Sequence, residues 1–236
     1  MLMSLIRGEL SFASALSEIL AILAIVFLVL PFHEWAHAFT AMKLGDTSVK
    51  YRGRLTLNPL AHIDPFGALA LLLFGIGWAK PVPVDTRNFK RPKLYMGITA
   101  LMGPVANIVA AAVGCLILHG CETFISTFDY DYALGAAGVA ANFNYYLGLF
   151  LIFYIQVNVS LAIFNFLPIP PLDGSKILFI FLPDRLVQKF YQYEMYITIG
   201  LLALLWTGIL NTPLSFLTTN VTKGVYWFTG LPFGLF

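Results

Sequence analysis

Two histidines and a glutamate lie close together in the stretch His33-Glu34-Trp35-Ala36-His37. Residues four positions apart differ by only about 40° around an α-helix, so both imidazoles face the same way with the carboxylate of Glu34 beside them. This spacing is typical of a helix that binds zinc through its histidines and uses the glutamate as a base. We therefore predict one zinc ion per chain, with His33 and His37 as ligands and Glu34 as the catalytic proton acceptor.

The composition of the chain is that of a membrane protein. Of its 236 residues, 59% are hydrophobic and only 11% are charged, and the mean hydropathy is +0.81. Soluble domains carry about 25% charged residues. Because ionisable groups in a bilayer core cost several kcal/mol, the histidines and the glutamate need compensation, which a bound metal ion supplies. The net charge of +2 argues against nucleic acid as a partner.

Apolar segments of helical length predict an all-α polytopic membrane protein. Four of them are long enough to span the bilayer, at residues 19–42, 94–118, 146–167 and 195–211. A fifth, at 66–78, is too short to cross, so a re-entrant segment is expected there. Residues 49–57 alternate apolar and polar side chains around Gly53, which predicts a small β-hairpin. The expected fold is a helix bundle with about four full spans, short re-entrant or broken segments and this hairpin.

The positions of lysine and arginine predict how the chain lies in the cell membrane. Nine of the 14 lie between Lys43 and Lys93, and none lies between Lys93 and Lys176. Because basic residues gather on the cytoplasmic side, both ends of the 66–78 segment and the metal site should lie toward the cytoplasm. We expect three regions, namely an N-terminal segment at 1–18, a membrane-embedded catalytic core at 19–183, and a C-terminal span with an aromatic tail at 184–236. The tail either crosses the membrane or lies along its interface.

A third protein ligand is required, because a catalytic zinc ion normally has three and keeps one position for water. Asp173 is the best-placed candidate. Pro168, Pro170 and Pro171 must end the preceding helix, since each lacks an amide proton and clashes with the previous turn. Irregular backbone at membrane depth must face protein or water, so Asp173 should point into the bundle. The alternative role for Asp173 is that of a helix N-cap.

Further motifs accompany these residues. They are Gly103-Pro104-Val105-Ala106-Asn107, the run 165–174 that contains Asp173, and the shorter stretches 62–67 and 80–84. In these motifs, across residues 19–183, the chain resembles the site-2 protease family of intramembrane metalloproteases, in its compact branch without a PDZ or nucleotide-sensing domain. The resemblance implies a zinc endopeptidase that hydrolyses a peptide bond within or near the transmembrane helix of single-pass membrane proteins, as in regulated intramembrane proteolysis.

The expected chemistry gives roles to a few polar groups. Glu34 takes a proton from the attacking water and returns it to the leaving nitrogen. Asn107 either forms a hydrogen bond between helices or orients the substrate and stabilises the oxyanion. Asn165 either satisfies carbonyls freed by the prolines or supports a metal ligand. A helical substrate must unwind before it is cut, and residues 49–57 could pair with its extended backbone.

Two other classes of membrane protein remain as alternatives. A metal-ion transporter could use the same histidine and aspartate cluster, but transporters usually carry polar residues along several spans. The span at 94–118 offers only Thr99 and Asn107 as clear hydrogen-bonding side chains. A membrane di-iron oxidase needs more ligands than the four histidines of this chain readily provide. The transporter is the stronger alternative.

The remaining cysteines and histidines are expected to have structural roles. Cys115 and Cys121 offer neither a disulfide framework nor a thiolate zinc site, so we expect them to pack as small apolar residues. His119 is predicted to lie in a loop on the outer face. His62 and Asp64 precede the short apolar segment and are predicted to be capping or interfacial groups.

Overall fold

The computed structural model describes residues 19–20, 23–67, 80–127 and 133–233. Its helices are α1 (Ile25–Leu44), α2 (Ser48–Tyr51), α3 (Pro59–His62), α4 (Pro92–Thr127), α5 (Ala133–Phe166), α6 (Asp173–Phe179), α7 (Asp184–Gln192), α8 (Glu194–Trp206) and α9 (Asn211–Gly230). Short 3-10 turns lie at Thr86–Asn88 and Leu231–Phe233. No strand occurs within these ranges, which confirms the prediction of an all-α fold.

Three helices are long and apolar enough to cross a membrane, namely Ile25–Leu44, Pro92–Cys121 within α4 and Tyr146–Phe166 within α5. They confirm the first three predicted spans. The fourth, predicted at 195–211, is not one straight helix, because α8 ends at Trp206 and α9 turns away from it by 84°. Counted as one broken span, this pair brings the number in the described chain to four. The predicted re-entrant segment at 66–78 lies almost entirely outside the described residues.

The β-hairpin predicted at 49–57 is wrong. Helix α2 occupies the start of this stretch, and Gly53, with a φ of +66°, closes a turn in which the amide of Arg54 donates to the carbonyl of Val49. Val49 is completely buried beside Ala38 and Ala41 of α1. The alternation in the sequence therefore reflects a single anchoring valine in a turn and not a strand with one buried face.

Helix α4 is the central element, because it contacts α1, α5, α6 and α9. Many of its buried positions are small residues, among them Ala100, Gly103, Ala106, Ala110 and Ala111. Small side chains let helix backbones approach closely in a membrane, where van der Waals packing holds helices together. Cys115 is buried in the same helix against Ile155 and Val159 of α5, in the packing role expected for it.

His119 is not a loop residue, contrary to the prediction. Helix α4 continues to Thr127, and His119 is completely buried within it. Its Nε2 donates a hydrogen bond to the carbonyl of Tyr226 in α9 at 3.0 Å, and the two rings lie 4.2 Å apart. The helix continues past the last strongly apolar residue, and Tyr226 of α9 provides the partner that the buried His119 needs there.

Candidate metal centre

Helix α1 turns both histidines toward the interior of the bundle. Its first residues, Ile25–Val29, are wound as a π-helix, and the α-helix begins at Leu30. Pro31 cannot donate to the preceding turn, which accounts for a change of hydrogen-bonding pattern at this point. His33 and His37 are only 5% and 8% exposed, and their rings lie 4.7 Å apart at nearly a right angle.

Asp173 reaches the histidines from a broken part of the chain. Helix α5 ends at Phe166, the prolines follow, and α6 begins at Asp173. The N-cap of α6 is Leu172, whose carbonyl accepts from the hydroxyl of Ser175 at 2.6 Å. The carboxylate of Asp173 therefore does not cap its helix and points to His33 and His37.

The three side chains form a triangle with the dimensions of a zinc site. His33 Nε2 lies 3.0 Å from His37 Nε2 and 3.3 Å from Asp173 Oδ2, and His37 Nε2 lies 3.2 Å from that same oxygen. Ligand atoms about 2.0–2.1 Å from a tetrahedral zinc ion are separated by about 3.3 Å. The three atoms thus match three corners of a coordination tetrahedron, and the group could hold a metal ion.

The protonation pattern of the cluster also fits a cation. His37 Nδ1 donates to the carbonyl of Thr99 at 2.7 Å, so in the neutral imidazole Nε2 carries the lone pair that faces His33 and Asp173. An imidazole lone pair and a carboxylate oxygen at such short range repel each other unless a proton or a metal ion lies between them. Two imidazole nitrogens and one carboxylate oxygen are the donor set of zinc hydrolases, which leave a fourth position open.

Helix α4 closes the other side of the cluster through a glycine. A Cβ atom on Gly103 would collide with the rings of both His33 and His37. The backbone of α4 therefore lies directly against the ligands, and Thr99, one turn earlier, provides the carbonyl that orients His37. Pro104 loosens the helical hydrogen bonding here, because it cannot donate to the carbonyl of Ala100.

Glu34 lies beside the two histidines and is also buried, with 8% of its surface exposed. Its Oε2 accepts a hydrogen bond from the main-chain amide of Val82 at 3.0 Å. No hydrogen bond to its second carboxylate oxygen occurs within the described residues, and a general base needs one such oxygen for a water molecule.

The two asparagines occupy different environments. Asn107 is completely buried one turn beyond Gly103, and neither its Oδ1 nor its Nδ2 has a partner in the described part of the chain. Asn165 is half-buried in the last turn of α5. Of these two asparagines, only Asn107 thus has buried hydrogen-bonding groups without a partner in the described chain.

Sequence reasoning missed the main-chain groups that complete the site. The carbonyl of Thr99 and the amide of Val82 each bond a predicted site residue, yet no side-chain pattern encodes them. The sequence shows Gly103 only as part of the motif Gly103-Pro104-Val105-Ala106-Asn107. Gly103 lies four residues before Asn107 and therefore on the same face of a helix. This spacing was the one indication in the sequence that this face of α4 contacts the site.

Comparisons with known proteins agree with this geometry. The sequence profile of peptidase family M50 matches residues 20–206. A protein of Bacillus subtilis with the name "Putative zinc metalloprotease YwhC" is 41% identical over 177 residues, which are 75% of this chain and 76% of that protein. "Putative zinc metalloprotease Rip2" of Mycolicibacterium smegmatis is 35% identical over 147 residues, 60% of this chain, and the match spans about half (49%) of that relative's length. A third such protein, MJ0611 of Methanocaldococcus jannaschii, is 28% identical over 62% of this chain and 63% of its own length.

No solved structure matches the chain. The family profile covers the ligand cluster, the central helix α4 and all three apolar spans. Together with these spans, it makes the protein a multi-pass membrane enzyme that uses zinc. The chain belongs to peptidase family M50, the site-2 protease family of zinc metalloproteases.

Proposed function

We propose that this metalloprotease hydrolyses a peptide bond within or near the transmembrane helix of single-pass membrane proteins. The supporting observation is that His33 and His37 lie inside a helix apolar enough to span the bilayer, and that Asp173 meets them there. A hydrolytic site at such a depth is of use only for a substrate that is itself in the membrane. The family as a whole acts on membrane proteins within the bilayer, which agrees with this choice of substrate.

His33, His37 and Asp173 are the proposed zinc ligands, and Glu34 is the proposed general base. When bound, zinc lowers the pKa of a water molecule and polarises the scissile carbonyl. Glu34 accepts the proton of the attacking water and donates it to the leaving nitrogen. The hydrogen bond that His37 Nδ1 donates to the carbonyl of Thr99 holds His37 in the tautomer that a metal ligand needs.

Asn107 is the proposed partner of the substrate backbone. A buried amide without hydrogen bonds costs free energy, which a substrate repays if its carbonyl or amide binds there. Its place beyond Gly103 favours contact with the carbonyl under attack or with the neighbouring peptide bond. Asn165 is proposed only to position the chain that leads to Asp173.

The active site is proposed to lie toward the cytoplasmic side. Lys93, at the start of α4, forms an ion pair of 2.6 Å with Asp184, so the end of the bundle near Asp173 carries basic residues. From residue 94 to Cys121, toward its far end, α4 contains no lysine or arginine. This asymmetry is the one that orients membrane proteins.

The proposal is tested by expressing the enzyme with single-pass membrane proteins whose transmembrane helix contains helix-breaking residues at different depths. Glu34→Gln should keep its zinc and lose cleavage by about a hundredfold or more, since the proton acceptor is removed. Asp173→Ala should lose both zinc and cleavage. Glu194→Gln, a matched change in α8 away from the cluster, should retain both.

Two results would contradict the proposal. One is cleavage by Glu34→Gln at the normal rate, since a metal-ion transporter would not need that proton acceptor. The other is cleavage restricted to soluble parts of the test proteins, which would place the reaction outside the membrane.

A further inference from the structure

A short proline-containing segment lies beside the proposed general base. Its residues are Lys80-Pro81-Val82-Pro83-Val84-Asp85. The two prolines fix their own φ angles and bias the residues before them toward extended conformations. In an extended chain, successive amides point to opposite sides, so the amides of residues 80 and 82 share one edge and residues 81, 83 and 85 share the other. The prolines thus remove amides only from the edge that faces away from Glu34.

The edge that carries the amides of Lys80 and Val82 faces α3 and Glu34. The amide of Lys80 donates to the carbonyl of His62 at 2.7 Å, and the amide of Val82 donates to Glu34 Oε2 at 3.0 Å. These two bonds fix the first half of the 80–85 segment against the site.

The second half of the segment is held by a buried carboxylate. Asp46 is completely buried, and its Oδ2 accepts from the amide of Asp85 at 2.7 Å. Its Oδ1 accepts from the side chain of Asn88 at 2.8 Å and from the amide of Ser48 at 3.1 Å. Asp46 follows Gly45, whose φ of +123° ends α1 in a conformation that favours glycine. The segment is therefore bonded to Glu34 of α1 through the amide of Val82, and to Asp46, two residues beyond the end of α1, through the amide of Asp85.

We propose that the main-chain amide of Val82 is a positioning group for Glu34, and that Asp46 keeps this amide in place. This inference rests on the proposed function, because it concerns the base of that reaction. A glutamate side chain has several rotatable bonds, and its terminal torsion has a broad, shallow energy profile. A charge-assisted hydrogen bond to Oε2 fixes the carboxylate plane and directs Oε1 toward the attacking water.

A main-chain donor suits this task better than a side chain would. It does not rotate, and it brings no positive charge that would compete with the metal ion for the carboxylate. Displacement of a catalytic group by about 1 Å can cost on the order of a hundredfold in rate. Fixing the base is therefore a sufficient role for this segment, whose one hydrogen bond to Glu34 in the described chain comes from the amide of Val82.

The role of the amide is tested by removing it without altering the side chain. An α-hydroxy acid with the valine side chain at position 82 replaces the N–H by an ester oxygen, and Val82→Pro removes the same donor by mutation. The matched controls are the ester at position 84 and Val84→Pro, because the amide of Val84 makes no hydrogen bond within the described chain.

Loss of the Val82 amide should lower kcat at least tenfold, leave KM within about twofold, leave zinc content unchanged, and lower thermal stability only as far as the loss of one hydrogen bond does. The position 84 variants should stay close to wild type in all four measurements. An unchanged kcat in the ester variant overturns the proposal. So does a change confined to KM, which would mean that the amide binds substrate, or a loss of zinc, which would mean a structural role.

A measurement without turnover separates this inference from the proposed function. Hydrogen exchange resolved to single residues should show faster exchange of the Val82 amide in Glu34→Ala than in wild type. The amides of Lys80 and Asp85, held by His62 and Asp46, should exchange as before, and Glu194→Ala should change none of them. Equal exchange at Val82 in wild type and Glu34→Ala would overturn the positioning contact, whether or not the enzyme cleaves membrane helices.

Discussion

The absence of a side chain at Gly103 leaves room for the rings of the two proposed histidine ligands. Replacement of Gly103 by alanine places a methyl group against both histidine rings, and neither ring can move without leaving its position in the ligand triangle. We expect Gly103→Ala to fold but to lose most of its zinc and on the order of a hundredfold in activity. Metal analysis and a cleavage assay on the purified protein measure both effects.

Gly120 provides the matched control for this substitution. It lies in the same helix, and an added Cβ would meet no atom within 4 Å. Gly120→Ala should therefore bind zinc and cleave as wild type does. Normal zinc content in Gly103→Ala would show that α4 does not press against the ligands as described.

The proposed ligand cluster was predictable from sequence wherever the spacing of residues along the chain determines their relative positions. His33 and His37 share a face of α1 because of the helical repeat, and Asp173 was found because prolines interrupt a helix before it. The carbonyl of Thr99 and the amide of Val82 could not be found in this way, since every residue except proline offers both groups. Their selection depends on how α4 and the 80–85 segment pack against α1.

Helix α6 depends on Gly174 for its approach to the end of α5. A Cβ on this glycine would collide with the main-chain carbonyls of Phe166 and Leu167, which cannot move aside as a flexible side chain can. We expect Gly174→Ala to displace α6, lower stability by about 1–3 kcal/mol and reduce zinc affinity, because Asp173 moves with the helix. Thermal unfolding and zinc titration measure these two losses.

Gly200 in α8 serves as the comparison, because a Cβ added there meets nothing within 4 Å. Gly200→Ala should change neither measurement. If Gly174→Ala lost stability but kept wild-type zinc affinity, the position of α6 would not control that of Asp173.

Asp46 should make the link between α1 and the 80–85 segment sensitive to acid. Burial alone would raise the pKa of the Asp46 carboxyl, but hydrogen bonds from Ser48, Asp85 and Asn88 outweigh it and hold the pKa below its usual value. The ionised form is therefore favoured in the folded state. Its contribution to stability is present above the ordinary aspartate pKa and is lost as the pH falls below about 4 toward the depressed value.

Thermal unfolding of wild type and Asp46→Asn between about pH 7 and pH 3 measures this contribution. At neutral pH the variant should be less stable by about 1–3 kcal/mol, because an amide cannot accept from all three donors. Its stability should also fall less steeply as acid is added. Parallel pH profiles for the two proteins would mean that Asp46 is not the group that titrates.

The helices were predictable where composition alone determines them. Long uninterrupted apolar segments correctly predict the spans in α1, α4 and α5, because such segments have no stable state in a bilayer other than a helix. Hydropathy did not reveal the 84° break between α8 and α9 within 195–211, because that break depends on how α9 packs. The alternating pattern at 49–57 was misleading, because the burial of Val49 under α1 outweighed it.

The bundle brings the C-terminal helix onto the same central helix that closes the metal centre. Val221 and Val225 of α9 pack against the buried cluster that includes Cys115 and Ile155, between α4 and α5. Farther along, the ring of Tyr226 lies against His119. Because Gly103 and His119 lie at different depths of one helix, α4 has one part facing the ligands and another covered by α9. No sequence period reveals this division, since both parts are equally apolar.

Central helix α4 also fixes which ends of the bundle lie on opposite sides of the membrane. Its apolar span Pro92–Cys121 contains 30 residues, or about 45 Å of helix, which exceeds the hydrocarbon thickness of about 30 Å. The ion pair of Lys93 with Asp184 places the start of α7 at the same end as the start of α4. Cys121 must then lie toward the other side.

Labelling with a membrane-impermeant maleimide tests this arrangement in a Cys115→Ala background. Tyr51→Cys and Arg185→Cys replace exposed residues near the proposed cytoplasmic end, and the native Cys121 reports on the opposite end. The two introduced cysteines, studied with Cys121 also changed to alanine, should be labelled in inverted vesicles and protected in intact cells. Cys121 should show the reverse pattern. Labelling of Tyr51→Cys and Arg185→Cys from different sides would contradict the bundle, because α1 and α6 could not then bring His37 and Asp173 together from one end of α4.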